Sequence, residues 1–319
     1  MRRFRLLPLF LIAAFFLCGR FATLALGAET PEAITEEHHL SLKPTVLTYG
    51  IGGHPPTDPQ RPETARIGYL AVTNSMLVSW IVAAGILICA RVATRKIQPV
   101  PSGLQNFWEW LVESLHTFLE SMIGRDLVKK TFWFFATIFI FILFVNWFGL
   151  IPGVGTIGFG HQANGAFHLD RPLLRGGNAD LNMTSAMAIM FFVCWTVWAI
   201  QANGVGGFLV HIFGPKGESK GLMKIAMVGI FFAVGLLEVV SILFRPISLS
   251  FRLFGNVYAG ETILESMSNM VPSLSWLLPI PFYFMELLVG LVQAMVFMLL
   301  TAVFTLLIAQ HEPGHEAHH

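Results

Sequence analysis

Apolar residues in this 319-residue chain gather into long blocks separated by short charged or proline-bearing stretches. After a basic start (Arg2, Arg3, Arg5) comes an apolar run over 6–18, and further blocks follow at 71–92, 131–151, 182–202, 222–244, 247–271 and 274–310. A bilayer core needs ~20 apolar residues per crossing helix, so the pattern predicts an all-α membrane protein with about five membrane helices. The stretch 104–123 differs. There Phe107, Leu111, Leu115, Phe118 and Met122 recur at helical spacing among Gln105, Glu109, Glu113, His116 and Glu120, which predicts an amphipathic helix on the inner membrane surface or against a partner.

Charges between the blocks orient them. Arg91, Arg95 and Lys96, then Lys129 and Lys130, then Lys216, Lys220 and Lys224 mark inner-side loops by the positive-inside rule. The block 222–244 carries positive charge at both ends, Arg245 being the second, so it cannot be a plain crossing. A tilted or re-entrant segment running into the next helix satisfies this, with Pro246 at a helix start or a kink. From Pro246 the chain rises, turns near Pro272, Pro279 and Pro281, and descends, giving a long tilted C-terminal hairpin. Residues 1–28 fit a cleaved secretory signal or a retained first helix. Cleavage would leave 29–66 as an external polar segment and a periplasmic N-terminus, followed by a membrane domain over 67–310. Residues 152–181, with His161, His168, Asp170 and Arg171, form an external loop that is solvated or caps the helices. The His-rich tail 311–319 falls on the cytoplasmic side.

Composition agrees, with 55% hydrophobic and 12% charged residues and a mean hydropathy of +0.66, too apolar for a soluble core of this length. The net charge of +1 hides the four arginines of the first 28 residues, without which 16 basic residues face 19 acidic ones. No basic patch points to nucleic acid. Cys18, Cys89 and Cys194 have neither paired nor metal-type spacing, and His38, His39 and His54 lack further ligands, so neither a metal nor a cofactor is expected.

The chemistry concentrates in Arg245-Pro246-Ile247-Ser248-Leu249-Ser250-Phe251-Arg252-Leu253-Phe254-Gly255-Asn256-Val257-Tyr258-Ala259-Gly260-Glu261. An arginine at a bilayer centre costs about 2.5–3.5 kcal/mol on insertion scales, so such a residue faces a partner, a cavity or an ion path. At ~1.5 Å per residue, Arg252 lies ~10 Å beyond Arg245 and Glu261 ~13 Å further still. Seven residues nearly restore a helical face, so Arg245 and Arg252 point together with Asn256 a turn on, while Glu261 points away from Arg252. Glu265 lies one turn beyond Glu261. On the descending helix Glu286, Gly290 and Gln293 share a face; an antiparallel hairpin brings Glu286 level with Glu261 and Gln293 level with Arg252. Glu238 and Ser241 lie toward the inner side, so one polar cluster forms near each membrane surface with an arginine between. Read singly, Arg245 is also a plain positive-inside anchor and Glu265 a surface residue.

The run from Arg245 to Glu261 resembles the Arg/Lys-Pro-x-Ser-x-x-x-Arg-Leu-Phe-Gly-Asn-x-Tyr-Ala-Gly-Glu pattern of the subunit a family of F-type ATP synthases. Leu291-Val292-Gln293-Ala294 through Phe297 resembles that family's final-helix Gln-Ala motif, and Glu238-Val239-Val240-Ser241 sits at the matching distance upstream. The resemblance implies a bacterial inner-membrane stator, not catalytic by itself, facing a c-subunit ring, with a b-subunit peripheral stalk and, indirectly, the catalytic head as partners. It implies that Arg252 is the essential stator arginine, that Asn256, Glu261, Glu286 and Gln293 line an outer access channel, and that Glu238, Ser241 and Arg245 lie by the inner one. Some family members carry His where Glu286 stands, so here the outer relay is a carboxylate pair able to share a proton. Two other classes compete: a secondary ion- or proton-coupled transporter, which would show repeat symmetry, and an intramembrane enzyme, which would need a nucleophile with its base or a metal cluster. Neither signature is visible.

Overall fold

The computed structural model describes residues 45–48, 72–163, 166–213 and 222–309. The expected leader, most of the 29–66 segment, His38, His39 and His54, the loop lysines Lys216 and Lys220, and the tail 311–319 lie outside them. Among the described residues six helices carry the architecture: α1 (Asn74–Ala93), α2 (Leu104–Ile123), α3 (Arg125–Gly149), α4 (Leu181–Phe213), α5 (Leu222–Met270) and α6 (Pro279–Ala309). Five of them, all but α2, are long and apolar enough to cross a membrane. The chain is an all-α membrane protein decorated by two small antiparallel pairs, β1 (Val46–Thr48) with β2 (Val72–Thr73) and β3 (Gly158–Ala163) with β4 (Ala166–Pro172).

α1 starts where the Thr73 hydroxyl accepts from the Met76 amide at 3.4 Å, the usual way an orphan N–H is satisfied at a helix start. It ends with Arg91 in its last turn, where positive charge suits the carbonyl end of the dipole. The linker to α2 is clamped by Gln105, whose side chain accepts from the Gln98 amide and donates to the Gln98 carbonyl, both at 3.1 Å. α2 buries Leu115, Leu119 and Ile123. Phe107 and Met122, on the apolar stripe expected to face the membrane surface or a partner, are 43% exposed. Gly124, at φ +79°, takes a conformation that β-carbon-bearing residues avoid, and this turn lets α3 begin at Arg125, six residues before the expected 131.

α3 is the central post. Phe134, Phe135, Ile142 and Val145 have no exposed surface, so its aromatic block is core rather than lipid-facing on that side. α4 runs to Ala202 as one span and breaks at Gly204, whose φ of +70° and ψ of 164° are not helical. α5 continues through Pro246 as one helix of 49 residues. Its 42-residue apolar part measures ~63 Å at ~1.5 Å per residue against a hydrocarbon core of ~30 Å. It is therefore too long for an upright crossing and must tilt or run partly along the membrane. Pro246 lies inside this helix, where its missing N–H removes one hydrogen bond of the ladder.

Candidate functional site

α5 and α6, joined by the turn around Pro272–Leu274, bring the polar residues of the two motifs together. The Asn256 side-chain amide donates to Gln293 Oε1 at 2.6 Å, and Gln293 is 5% exposed. Gln293 thus meets Asn256 and not the level of Arg252, a shift of one turn from the antiparallel expectation. Glu286 lies against Gly260, so between the two contacts four residues along α5 correspond to seven along α6. Glu286 itself is 8% exposed, and its carboxyl packs so closely on the Gly260 backbone that a β-carbon there would overlap it.

A third helix closes the group. Asn146 of α3 donates to the Gly290 carbonyl at 3.1 Å, and Trp147 Nε1 donates to the Leu287 carbonyl at 3.1 Å. This close approach needs Gly290, where a β-carbon would stand 3.2 Å from the Asn146 Cβ. Asn256, Glu261, Glu286, Gln293, Asn146 and Gly176 line one cavity of about 20 Å³ available to the centre of a water molecule, room for about one water among several polar partners.

The segment before α4 departs from the solvated reading of 152–181. Residues 175–180 are all buried. Arg175 is paired with Glu261, Nε to Oε2 at 3.6 Å, and the two side chains are 8% and 17% exposed. Gly176 lies against the Glu261 carboxyl, leaving no room for a β-carbon. Asn178 donates to Asn146 Oδ1 at 2.7 Å. Asp180 caps α4 by accepting from the Asn182 amide at 2.9 Å and binds the Ser75 hydroxyl of α1 at 2.5 Å. Burial pushes the Asp180 carboxyl above the usual carboxylate range, although hydrogen bonds from Ser75 and Asn182 and the charge of Arg175 pull the other way. Sequence reasoning missed Arg175, Asn178 and Asp180, because a Gly-rich polar stretch reads as a wet loop. The available signal was Gly176-Gly177, which permits close backbone approach, followed by Asp180 at an N-cap position.

Arg252 stands apart. It is exposed on α5, and no carboxylate of the described residues forms an ion pair with it. Glu261, nine residues on, turns inward to Arg175. Toward the other end of α5, Ser241 is exposed and Glu238 half-buried. Arg245 packs its guanidinium over Phe304 at 4.6 Å and Trp195 at 5.7 Å, while Trp195 Nε1 donates to the Phe304 carbonyl at 3.0 Å. Glu265 is half-buried a turn beyond Glu261. Ser250, on the side of α5 facing α4, shares hydrogen bonds with Ser185 at 2.8 Å and Thr184 at 3.2 Å. The structure therefore gathers Asn256, Glu261, Glu286 and Gln293, and leaves Arg252, Glu238, Ser241 and Arg245 outside that group.

Comparison with known proteins agrees along most of the length. The family described as ATP synthase A chain matches residues 76–305. The ATP synthase subunit a of Gloeobacter violaceus is 31% identical over 281 residues, 88% of this chain and 97% of that protein. Those of Citrifermentans bemidjiense and Helicobacter hepaticus are each 32% identical, over 73% and 70% of this chain and 86% and 84% of their own lengths.

Proposed function

The chain belongs to the ATP synthase A chain family, the subunit a of F-type enzymes, and from that premise we propose that it is the stator that conducts protons past a ring of c-subunits. It is a multi-pass membrane protein and not a catalyst by itself. Two offset half-channels and Arg252 couple proton flow to ring rotation. The observation that carries this reading is the arrangement on α5: an exposed arginine without an ion-pair partner among the described residues, with Asn256 one turn along its face reaching Gln293, and on the other side Glu261 turned to the cavity it lines with Glu286.

A guanidinium stays protonated at any physiological pH. Arg252 can therefore attract a deprotonated ring carboxylate but cannot hand a proton across itself. Protons reach the ring through the group around Glu261 and Glu286, with Asn256 and Gln293 as the hydrogen-bonded step nearest Arg252 and Glu265 toward the mouth. They neutralise a carboxylate on a c-subunit, ride almost a full turn, and leave on the side of Glu238, Ser241 and Arg245. Each charge moving through 100 mV releases about 2.3 kcal/mol, which a continuous pore would dissipate and separated half-channels turn into torque. In this reading the mature N-terminus is periplasmic, the C-terminus cytoplasmic, the c-ring packs on the Arg252 side of α5, and a b-subunit stalk ties the chain to the catalytic head. The test is ATP-driven pumping in membrane vesicles carrying the whole complex. Arg252→Ala abolishes acidification while the complex still assembles; pumping at the wild-type rate would refute the gate.

A further inference from the structure

A buried arginine on a connecting segment is costly unless its charge is matched, and removing one member of a buried pair leaves the other uncompensated. Arg175 meets that condition through Glu261, 3.6 Å away. The segment bearing it is held from three sides: Asn178 is tied to α3 through Asn146, Asp180 to α1 through Ser75, and the Gly176 backbone is pressed on the Glu261 carboxyl. The other charged groups that face Glu261 are Glu286 from α6 and Glu265 from α5 itself, both of its own sign. Beside these carboxylates a deprotonated Glu261 needs a cation in a fixed place; without one it takes up a proton or turns away from the cavity it lines.

We propose that Arg175 is a positioning residue for proton conduction: the segment 175–180 is a fixed insert whose guanidinium holds Glu261 at the cavity, facing Glu286. This rests on the reading of Glu261 as part of the proton route. Arg175 does not relay a proton, since a guanidinium does not release one. It sets the rotamer of the group that does. It does so through its fixed positive charge, 3.6 Å from the carboxylate.

The experiment is passive proton flux, driven by an imposed potential, through vesicles that contain the assembled membrane sector and have been stripped of the catalytic head. Assembly is quantified in parallel. Arg175→Gln lowers flux about tenfold or more at normal assembly, the scale of a catalytic group displaced by about 1 Å, and Arg175→Lys, which restores the charge, recovers most of it. Wild-type flux in Arg175→Gln, or flux equally low in a normally assembled Arg175→Lys, overturns the inference. Glu261→Gln in the same vesicles separates the two levels: wild-type flux there sinks the channel reading itself, whereas slowed flux there with normal flux in Arg175→Gln sinks only the role of Arg175. If Arg175→Gln does not assemble, the double variant R175Q/E261Q decides. Recovery of assembly when both charges are removed supports the pair, and continued failure overturns it.

Discussion

Gly260→Ala separates stability from conduction, because the position sits inside α5 with the Glu286 carboxyl packed directly on its backbone. Alanine in a helix interior is favoured over glycine by about 1 kcal/mol. Against that stands the new β-carbon, which forces the end of Glu286 to withdraw by more than about 1 Å; holding a side chain off its preferred rotamer costs about 0.5–1.5 kcal/mol. The two effects nearly cancel, so the variant assembles within about 1 kcal/mol of wild type. Conduction does not cancel. Proton transfer needs donor and acceptor within ~2.6–3.2 Å or one bridging water, and a misplacement of about 1 Å can cost up to a hundredfold. Passive flux through head-stripped vesicles therefore falls between about tenfold and a hundredfold. Glu286→Asp, shorter by one methylene, relieves the overlap and raises flux when added to Gly260→Ala. Gly85→Ala is the control: Gly85 has open space around it, so it gains helix propensity and leaves flux alone. Wild-type flux in a fully assembled Gly260→Ala protein would show that the position of the Glu286 carboxyl does not matter to conduction.

Two further substitutions probe the ends of the site. Asp180 has its native pKa raised by burial above the ordinary 3.8, so the folded state holds that proton more tightly than the unfolded state. Its contribution is fully present below about pH 3.8 and is lost as pH rises through the elevated native value. The melting temperature of Asp180→Asn relative to wild type, in detergent, should therefore improve steadily as pH is raised through that window, and a difference independent of pH would contradict it. Arg245→Leu loses the contacts of the guanidinium with Phe304 and Trp195. About 0.5–2 kcal/mol for a half-buried cation over aromatic rings predicts a loss of thermal stability in the purified complex, with proton flux reduced far less than by Arg252→Ala. An Arg245→Leu protein that melts like wild type but has lost flux would show that Arg245 acts only at the exit side and not as a helix tie.

What could be read from the sequence follows the strength of periodic signals. α2 spans 104–123 in both reading and structure, and α1 begins three residues later than the apolar block, because water-to-lipid transfer dominates where side chains have nothing polar to negotiate. The conclusion that 222–244 flows into the following helix came from charge at both of its ends, and α5 runs unbroken through Pro246. The face assignments on α5 needed only 3.6 residues per turn. The hairpin register did not follow so simply: it is set by side-chain packing between two helices, and the Asn256–Gln293 bond differs from the antiparallel expectation by a turn. The burial of 175–180 was least legible. Arg175, Asn178 and Asp180 are residues whose type argues for water, and their burial depends on partners about 30 to 105 positions away, Asn146, Glu261 and Ser75.

That distribution of partners gives the polar group its rigidity. Glu261 sits on α5, Glu286 and Gln293 on α6, and Asn146 on α3, while the 175–180 segment is tied to both α3 and α1. Each contact alone is of ordinary strength, since a net hydrogen bond is worth about 0.5–1.5 kcal/mol. Because the contacts join four helices, one member cannot shift without leaving a buried partner unmatched, and unmatched buried polar groups cost about 1–3 kcal/mol each. Around Arg252 itself α5 is less braced: Phe251 and Ile247 are exposed beside it, while Asn256 and Arg245, to either side, tie the helix to α6. If the chain acts as the proposed stator, this combination suits it: a side fixed within the chain for handing over protons, and a side bearing Arg252 left open to a ring.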